Sequence, residues 1–349
     1  MPTTPHLLQR LGVALPIFQA PMTGSDTPQL AAAVSRAGGL GQLGCGMRSP
    51  QAMREAAAAV RTTTDKPFGI NLFVLDTPTP DAASVQAALA RLAPLYQRFD
   101  LPLVAPTTWC EDFEAQFETL LELRPTLASF TFGILNPAQI ERLQRTGCLV
   151  AGTATTVAEA LAWQAVGADA VIASGVEGGG HRGTFLAPME ESQIGTLALV
   201  PACVDALAIP VIAAGALMDG RAIAAALALG AQAVQMGTAF LACPESAIGP
   251  AYRAALARAQ GSDTRLTRSF SGRHARGIDN AMMRTLAAHE DAIPPYPIQN
   301  ALMGPVRRAA AQAGDGEYIA LWAGQGVGAV RELPAGQLVE ALEKEWRAA

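Results

Sequence analysis

Charged and aromatic side chains are scarce in this chain: 16% of its 349 residues are charged and 5% are aromatic. Lys and Arg number 25 against 30 Asp and Glu, a formal net charge of −5. There is no basic stripe and no aromatic-interleaved basic patch, which argues against a nucleic-acid partner. Disulfide and metal chemistry are equally poorly served. The five cysteines (Cys45, Cys110, Cys148, Cys203, Cys243) are odd in number, widely spaced and without a CxxC pair, so they read as reduced core residues. No HExxH, no Cys/His cluster and no EF-hand spacing occurs, so no metal is expected, and no GxSxG elbow marks a hydrolase. Residues 1–16 lack a basic segment followed by an apolar core, which predicts a cytoplasmic protein. Long apolar runs are also missing. The nearest to a membrane span, 222–243, divides at Gly230 into an alanine-rich helix over 222–229 and a strand over 231–236.

What the chain does have is a repeating alternation. Half of its residues are hydrophobic. Apolar runs of strand length fall at 17–22, 39–43, 68–74, 127–132, 148–152, 170–174, 211–214 and 233–236, with helical stretches between them. A helix over 27–37 opens at an Asp26/Thr27 cap and ends at Gly38 and Gly39; another over 156–166 opens at a Thr cap and ends at Gly167. Eight such units predict an α/β fold of the (β/α)8 TIM-barrel class, with a doubly wound sheet as the weaker alternative. The barrel is expected over 1–243, with a helical insertion near 76–125. A smaller, mainly helical cap or substrate segment would follow over 244–310. The remainder, 311–349, would return to the barrel through a helix over 337–347.

The strongest local signal follows the sixth strand, where Gly178, Gly179, Gly180, His181, Arg182 and Gly183 place one of four histidines in a glycine-rich, flexible loop. The string satisfies GxGxxG, but no clear helix follows it, so a dinucleotide fingerprint fails on context. A parallel barrel keeps its chemistry at the C-terminal ends of its strands, and an imidazole exchanges protons near neutral pH. Histidine in such a turn can also serve only as a cap. Loops after the seventh and eighth strands, Gly215-Ala216 and Gln235-Met236-Gly237-Thr238, stand where barrels bind phosphate, although ordinary turns use the same residues. Asn71 ends the third strand with an amide that could read a heteroaromatic edge. Ala20, Pro21 and Met22 could wall a planar ring, while Met22 alone also reads as core filling. His6 and His289 carry no local signal and are expected in solvent; His274 sits among cations, at the surface or against an anion.

Taken together, Gln19-Ala20-Pro21-Met22, Ala37 to Gly41, Gly69-Ile70-Asn71-Leu72-Phe73, Glu177 to Phe185, Asp219-Gly220-Arg221 and Gln235 to Phe240 resemble the nitronate monooxygenase (2-nitropropane dioxygenase) family. Phe270 to Arg273 and Leu321 to Gly326 extend the similarity nearly to the C-terminus. The resemblance implies FMN at the strand ends, with Asn71 and Gln235 near the ring or ribityl chain. Ala20, Pro21, Met22, Ser174, Gly179, Gly180, Gly215, Ala216, Met236, Gly237 and Thr238 would complete its site. It implies His181 as the base that deprotonates a neutral nitroalkane, a step an anionic nitronate does not need. Reduction of the flavin and reaction with O2 would then give a carbonyl compound and nitrite, a nitroalkane-detoxifying activity. Thr131, Tyr296 and Asn300 would line the substrate pocket.

The chain departs from the family pattern at Ser174, where Gln is usual, at Thr131, where His is frequent, and at Asn300 and Gly304, where some members carry Tyr and Lys. Ala216 replaces a usual glycine, which matters if its φ is positive. The resemblance leaves two alternatives: an NAD(P)H-dependent FMN reductase of quinones or enoyl thioesters, away from whose enoyl branch Arg182 tilts the reading, and a non-catalytic FMN-binding homologue. The expected partners are a small nitro compound and O2, with no membrane, in a monomer or homodimer.

Overall fold

The computed structural model describes residues 7–349; the expectation for His6 lies outside them. Its strands are β1 (Ile17–Gln19), β2 (Gly41–Gly44), β3 (Phe68–Phe73), β4 (Leu127–Thr131), β5 (Leu149–Ala154), β6 (Ala170–Ser174), β7 (Gly180–His181), β8 (Val211–Ala214), β9 (Ala233–Met236), β10 (Thr264–Thr267) and β11 (Ala275–Ile278). Eight of them form one all-parallel sheet in the order β1-β9-β8-β6-β5-β4-β3-β2. A single bridge, Phe18 to Leu40, closes it into the expected barrel. At that seam the Gln19 N–H donates to Leu40 O (2.9 Å), and the Gln42 N–H donates to the Gln19 side-chain Oε1 (2.9 Å). The first strand stops at Gln19 rather than running to Met22. Ala20 N still reaches Met236 O, but Pro21 has no N–H to continue the ladder.

Side chains alternate across the barrel wall, as the pleat requires. Phe18, Leu40, Leu127, Ala151, Ala170, Ile172, Ile212 and Ala233 form a buried inner layer, on which Leu7 and Leu11 of the first helix pack. Outward residues such as Ile70, Val150, Val171, Val211 and Val234 join the larger core beneath the helices. Local signals fix where those helices begin. Thr27 caps Pro28–Arg36 by accepting from Leu30 N (3.0 Å), Asn136 and Gln139 form a capping box at Pro137–Gln144, and Asp219 caps Gly220–Ala228. Asp26 is not part of the first cap. It is buried and accepts from Met22 N and Gly44 N, both at 2.7 Å.

The 76–125 stretch gives two helices with different allegiances. Phe113–Leu123 packs on helix Pro50–Thr63 and β3, as a barrel helix does. Ala82–Arg98 instead packs on Ile298–Gln312, and Val85, Leu89, Tyr96, Met282, Leu302 and Val306 share a separate core. A three-stranded antiparallel sheet, β10-β11-β7, joins residues 264–278 to the loop after β6. The final helix, Ala335–Ala348, returns to the barrel wall against Gly220–Ala228 and Pro28–Arg36. Four of the five free cysteines are buried; Cys110 is half-exposed, outside the expected core. Among the described residues no helix is long and apolar enough to cross a membrane.

Candidate active site

At the C-terminal ends of the strands the inward-facing positions change from apolar to amide and hydroxyl. Gln42 Nε2 donates to Gln235 Oε1 (2.8 Å) and Gln19 O (3.1 Å), while Asn71 Nδ2 donates to Ser129 O (3.0 Å) and Ser129 Oγ (3.1 Å). Asn71 Oδ1 and Gln235 Nε2 have no partner among the described residues. The only sealed side-chain polar atom without a partner there is Arg182 Nε. The free Asn71 acceptor and Gln235 donor therefore open onto the barrel mouth. An acceptor and a donor on one floor suit the edge of a heteroaromatic ring.

Beside this floor lies a cradle built of backbone. A Cβ at Gly179 would fall 2.5 Å from Gly324 N and 2.6 Å from Ala323 C, and one at Gly178 only 3.5 Å from the Gly215 Cα. The loops after β6 and β8 and the 322–326 segment thus meet main chain to main chain. Thr238 Oγ1 accepts from Gly324 N (3.0 Å), tying in the loop after β9. The space a side chain would take at these glycines is thus filled by the protein's own main chain, and such side-chain-free backbone can also bring amides close to a phosphate. Ala216 adopts φ +54°, so the alanine at the usual glycine position is strained. Met236 differs from its neighbours: its side chain lies in the outer core, and only its carbonyl, taken by Ala20 N, reaches the rim.

The loop bearing His181 is not the flexible chain its glycines suggest. Gly180 and His181 form β7, paired with Arg276 and Ala275 of β11. Arg182 is buried and donates to Ser174 O (2.9 Å), Gly175 O (2.7 Å) and Ser192 O (2.9 Å). Burial lowers its pKa to about 10, against which the charges of Glu159 and Glu177 work. Glu159, fully buried, accepts from Thr155 N and Oγ1, Thr184 Oγ1, Phe185 N and Leu186 N. Burial pushes this carboxyl up, but those donors hold it net below its ordinary value. Ser174 therefore contributes its carbonyl to the loop. Thr131 lies under it, since a Cβ at Gly183 would come within 2.7 Å of the Thr131 Oγ1.

Around His181 stand three aromatic rings: Phe132 at 5.3 Å, Trp322 at 5.5 Å and Tyr296 at 5.7 Å between centroids. Phe132 adopts φ +79°, a conformation that costs an aromatic residue on the order of 1–3 kcal/mol. Its ring also packs on Phe73 and Tyr296 and lies beneath the Arg273 guanidinium, 4.2 Å away. Arg273 donates to Arg182 O and Thr184 O. On helix Ile298–Gln312, Arg307 Nη2 donates to Asn300 O (2.9 Å) and Asn300 Oδ1 (2.8 Å). Neither arginine forms an ion pair with a carboxylate among the described residues. Burial, then Arg273 and Arg307, lower the His181 pKa to about 3, so the imidazole is neutral near pH 7. Its Nε2 lies 2.8 Å from Ser271 Oγ. Burial raises the Tyr296 phenol above its ordinary value, keeping it protonated.

The structure thus brings His181, Tyr296 and Asn300 to one wall, with Thr131 under the adjoining loop, and gathers Asn71, Gln235, Gly179, Gly215 and Gly237 at the floor and cradle. Gln42, Ser129, Phe132 and Arg307 join them without a clear mark in the sequence, and Ser271, Arg273 and Trp322 join them from stretches that carry the family resemblance. Polar residues at inward strand positions would have pointed to Gln42 and Ser129. The cations around His274 gave a signal for Arg273, although His274 itself offers its carbonyl to Arg182 N. His289 is exposed.

A family model described as nitronate monooxygenase matches residues 4–345. A probable nitronate monooxygenase of Staphylococcus aureus (strain MRSA252) is 42% identical over 323 residues, covering 92% of this chain and 91% of the relative. Among solved structures, nitroalkane oxidase from Streptomyces ansochromogenes aligns with a TM-score of 0.90 at 44% identity, covering 98% of each chain. FabK from Thermotoga maritima aligns at 0.77 with 33% identity, covering 98% of this chain and 96% of that one.

Proposed function

This chain belongs to the nitronate monooxygenase family, and from that premise we propose that it binds FMN and uses O2 to oxidise anionic alkyl nitronates to a carbonyl compound and nitrite. The observation that carries the substrate reading is the charge of the wall. Arg273 and Arg307 flank a neutral His181 and neither is ion-paired to a carboxylate among the described residues, so the wall offers positive charge that only the more distant Glu159 opposes, at Arg273. An anion held between the two guanidiniums and against aromatic faces meets both its charge and its apolar carbons.

FMN fits the floor and the cradle. The free Asn71 acceptor and Gln235 donor match a ring that presents both, and the glycine backbone of residues 178–180 and 215, with Gly237 and Thr238, matches its phosphate. When bound, this group supplies electron acceptance and the reaction with oxygen. The protein's share is binding, orientation and exclusion of water. Ala20, Pro21 and Met22 wall the ring, the cap segment 244–310 covers the mouth, and His181 accepts a proton only when a neutral nitroalkane arrives. With its pKa lowered by burial and by the two arginines, His181 is a weak proton acceptor, so nitroalkanes are turned over more slowly than nitronates.

The test is anaerobic mixing of the yellow protein with ethyl nitronate, and separately with NADH and NADPH, while the flavin spectrum is followed. Rapid reduction by nitronate alone supports this reading. Bleaching by a pyridine nucleotide, with no response to nitronate, replaces it with a reductase.

A further inference from the structure

Ser271 is buried in the turn before β11, and its hydroxyl stands between three groups. His181 Nε2 lies 2.8 Å away and Arg273 O lies 3.1 Å away, while Arg273 N–H points to the same oxygen at 3.4 Å. A hydroxyl has one proton to give, and a carbonyl oxygen can only accept. The proton therefore goes to Arg273 O, leaving the Ser271 lone pairs toward Arg273 N–H and the imidazole. From these contacts we infer that Ser271 holds His181 as the Nε2–H tautomer, so that Nδ1 is the atom that takes a proton from substrate.

The remaining geometry agrees. Nδ1 has no partner among the described residues and is not sealed from solvent, since Arg182 Nε alone holds that condition. It keeps access to solvent. The ring is fixed by the β7 backbone and by its three aromatic neighbours, so turning it over to exchange its nitrogens would disturb the whole wall. The imidazole is neutral across the ordinary pH range, so the tautomer alone decides whether the pocket meets a lone pair or an N–H. Were Ser271 to donate to Nε2, the ring would offer the substrate a donor and could not act as a base. Ser271 is thus a positioning residue, acting through His181.

Proton transfer to Nδ1 rests on the nitronate and nitroalkane reading; the tautomer itself does not. The test is nitrogen NMR of the FMN-loaded enzyme labelled with 15N-histidine. The chain has four histidines, and the His181 signals are identified by their loss in His181→Asn. The expected spectrum has His181 protonated at Nε2 and bare at Nδ1 from pH 5 to 8. In Ser271→Ala both tautomers appear, while Ser271→Thr, which keeps the hydroxyl, restores the single form. Turnover of a neutral nitroalkane in Ser271→Ala should fall about tenfold further than turnover of its nitronate, the effect of losing one buried hydrogen-bond preference. An Nδ1–H tautomer in the wild type, or a pattern unmoved by Ser271→Ala, overturns the assignment. The expected tautomers without any turnover of nitro compounds would leave Ser271 in this role and overturn the proposed function instead.

Discussion

The two sides of the barrel mouth are made of different material. The floor and cradle come from the barrel itself and consist of amide side chains at strand ends and bare backbone at Gly178, Gly179 and Gly215. The opposite wall is made of side chains, and most come from outside the barrel: Tyr296 and Arg307 from residues 296–312, Trp322 from the C-terminal segment, Ser271 and Arg273 from the turn leading into β11. A backbone surface tolerates no added atoms. A side-chain surface can be retuned residue by residue. Damage to the first should cost the cofactor, and damage to the second should cost turnover with the cofactor retained.

Gly179→Val is the most severe way to break the first side. Its Cβ would meet main chain of Ala323 and Gly324, which cannot swing away. A penalty of about 3 kcal/mol would weaken flavin binding roughly a hundredfold. The protein should purify colourless, as its flavin-to-protein absorbance ratio would record. His181→Asn tests the other side. The variant should stay yellow and keep nitronate turnover within a few-fold, yet lose nitroalkane turnover by about a hundredfold or more in steady-state assays. Retention of nitroalkane activity would remove His181 from its role. Arg307→Met should raise KM for a nitronate about tenfold with little change in kcat, and should raise the His181 pKa seen in the pH profile, because one of the two cations that depress it has gone.

Two smaller effects sharpen the contrast from the barrel side. Burial raises the Asp26 pKa from 3.8 to about 6, against the pull of Arg48 and the Gly44 and Met22 amides. The folded protein therefore holds a proton that the unfolded chain has released between about pH 4 and 6. Stability should fall as pH rises through that window and level off above it, and Asp26→Asn should flatten that part of the denaturation profile. Ala216→Gly should stabilise the protein by about 0.5–1 kcal/mol, since relief of its positive φ outweighs the added chain entropy of glycine; thermal melts would register it.

The same division explains how far the sequence could be read. The strands are visible as apolar runs because both faces of a parallel barrel are covered. Asn71 and Gln235 stand out as polar residues within such runs, and the glycines stand out because backbone contact leaves no substitute for them. The wall is harder to see. His181 meets Ser271, and Phe132 meets Tyr296, across stretches of chain whose pairing no local pattern encodes. Arg307 carries no signal beyond being one cation on an amphipathic helix, yet it returns positive charge to a pocket where Asn300 and Gly304 suggested its loss. The loop of residues 178–183 looks flexible in sequence because its ordering partner, β11, lies far along the chain.

The seam of the barrel has a consequence for how a mutational scan of this protein should be interpreted. Between β1 and β2 the main-chain ladder is one bridge long, and the Gln42 N–H is satisfied by the side-chain carbonyl of Gln19. Position 19 is therefore under a grammatical constraint of the backbone. Its side chain completes a sentence the strands leave unfinished. Leucine there would fill the space and strand a buried donor at a cost of about 1–3 kcal/mol, and asparagine would fall short of it. Intolerance at residue 19 would look like contact with a ligand, and it would report only that the cylinder has been left open.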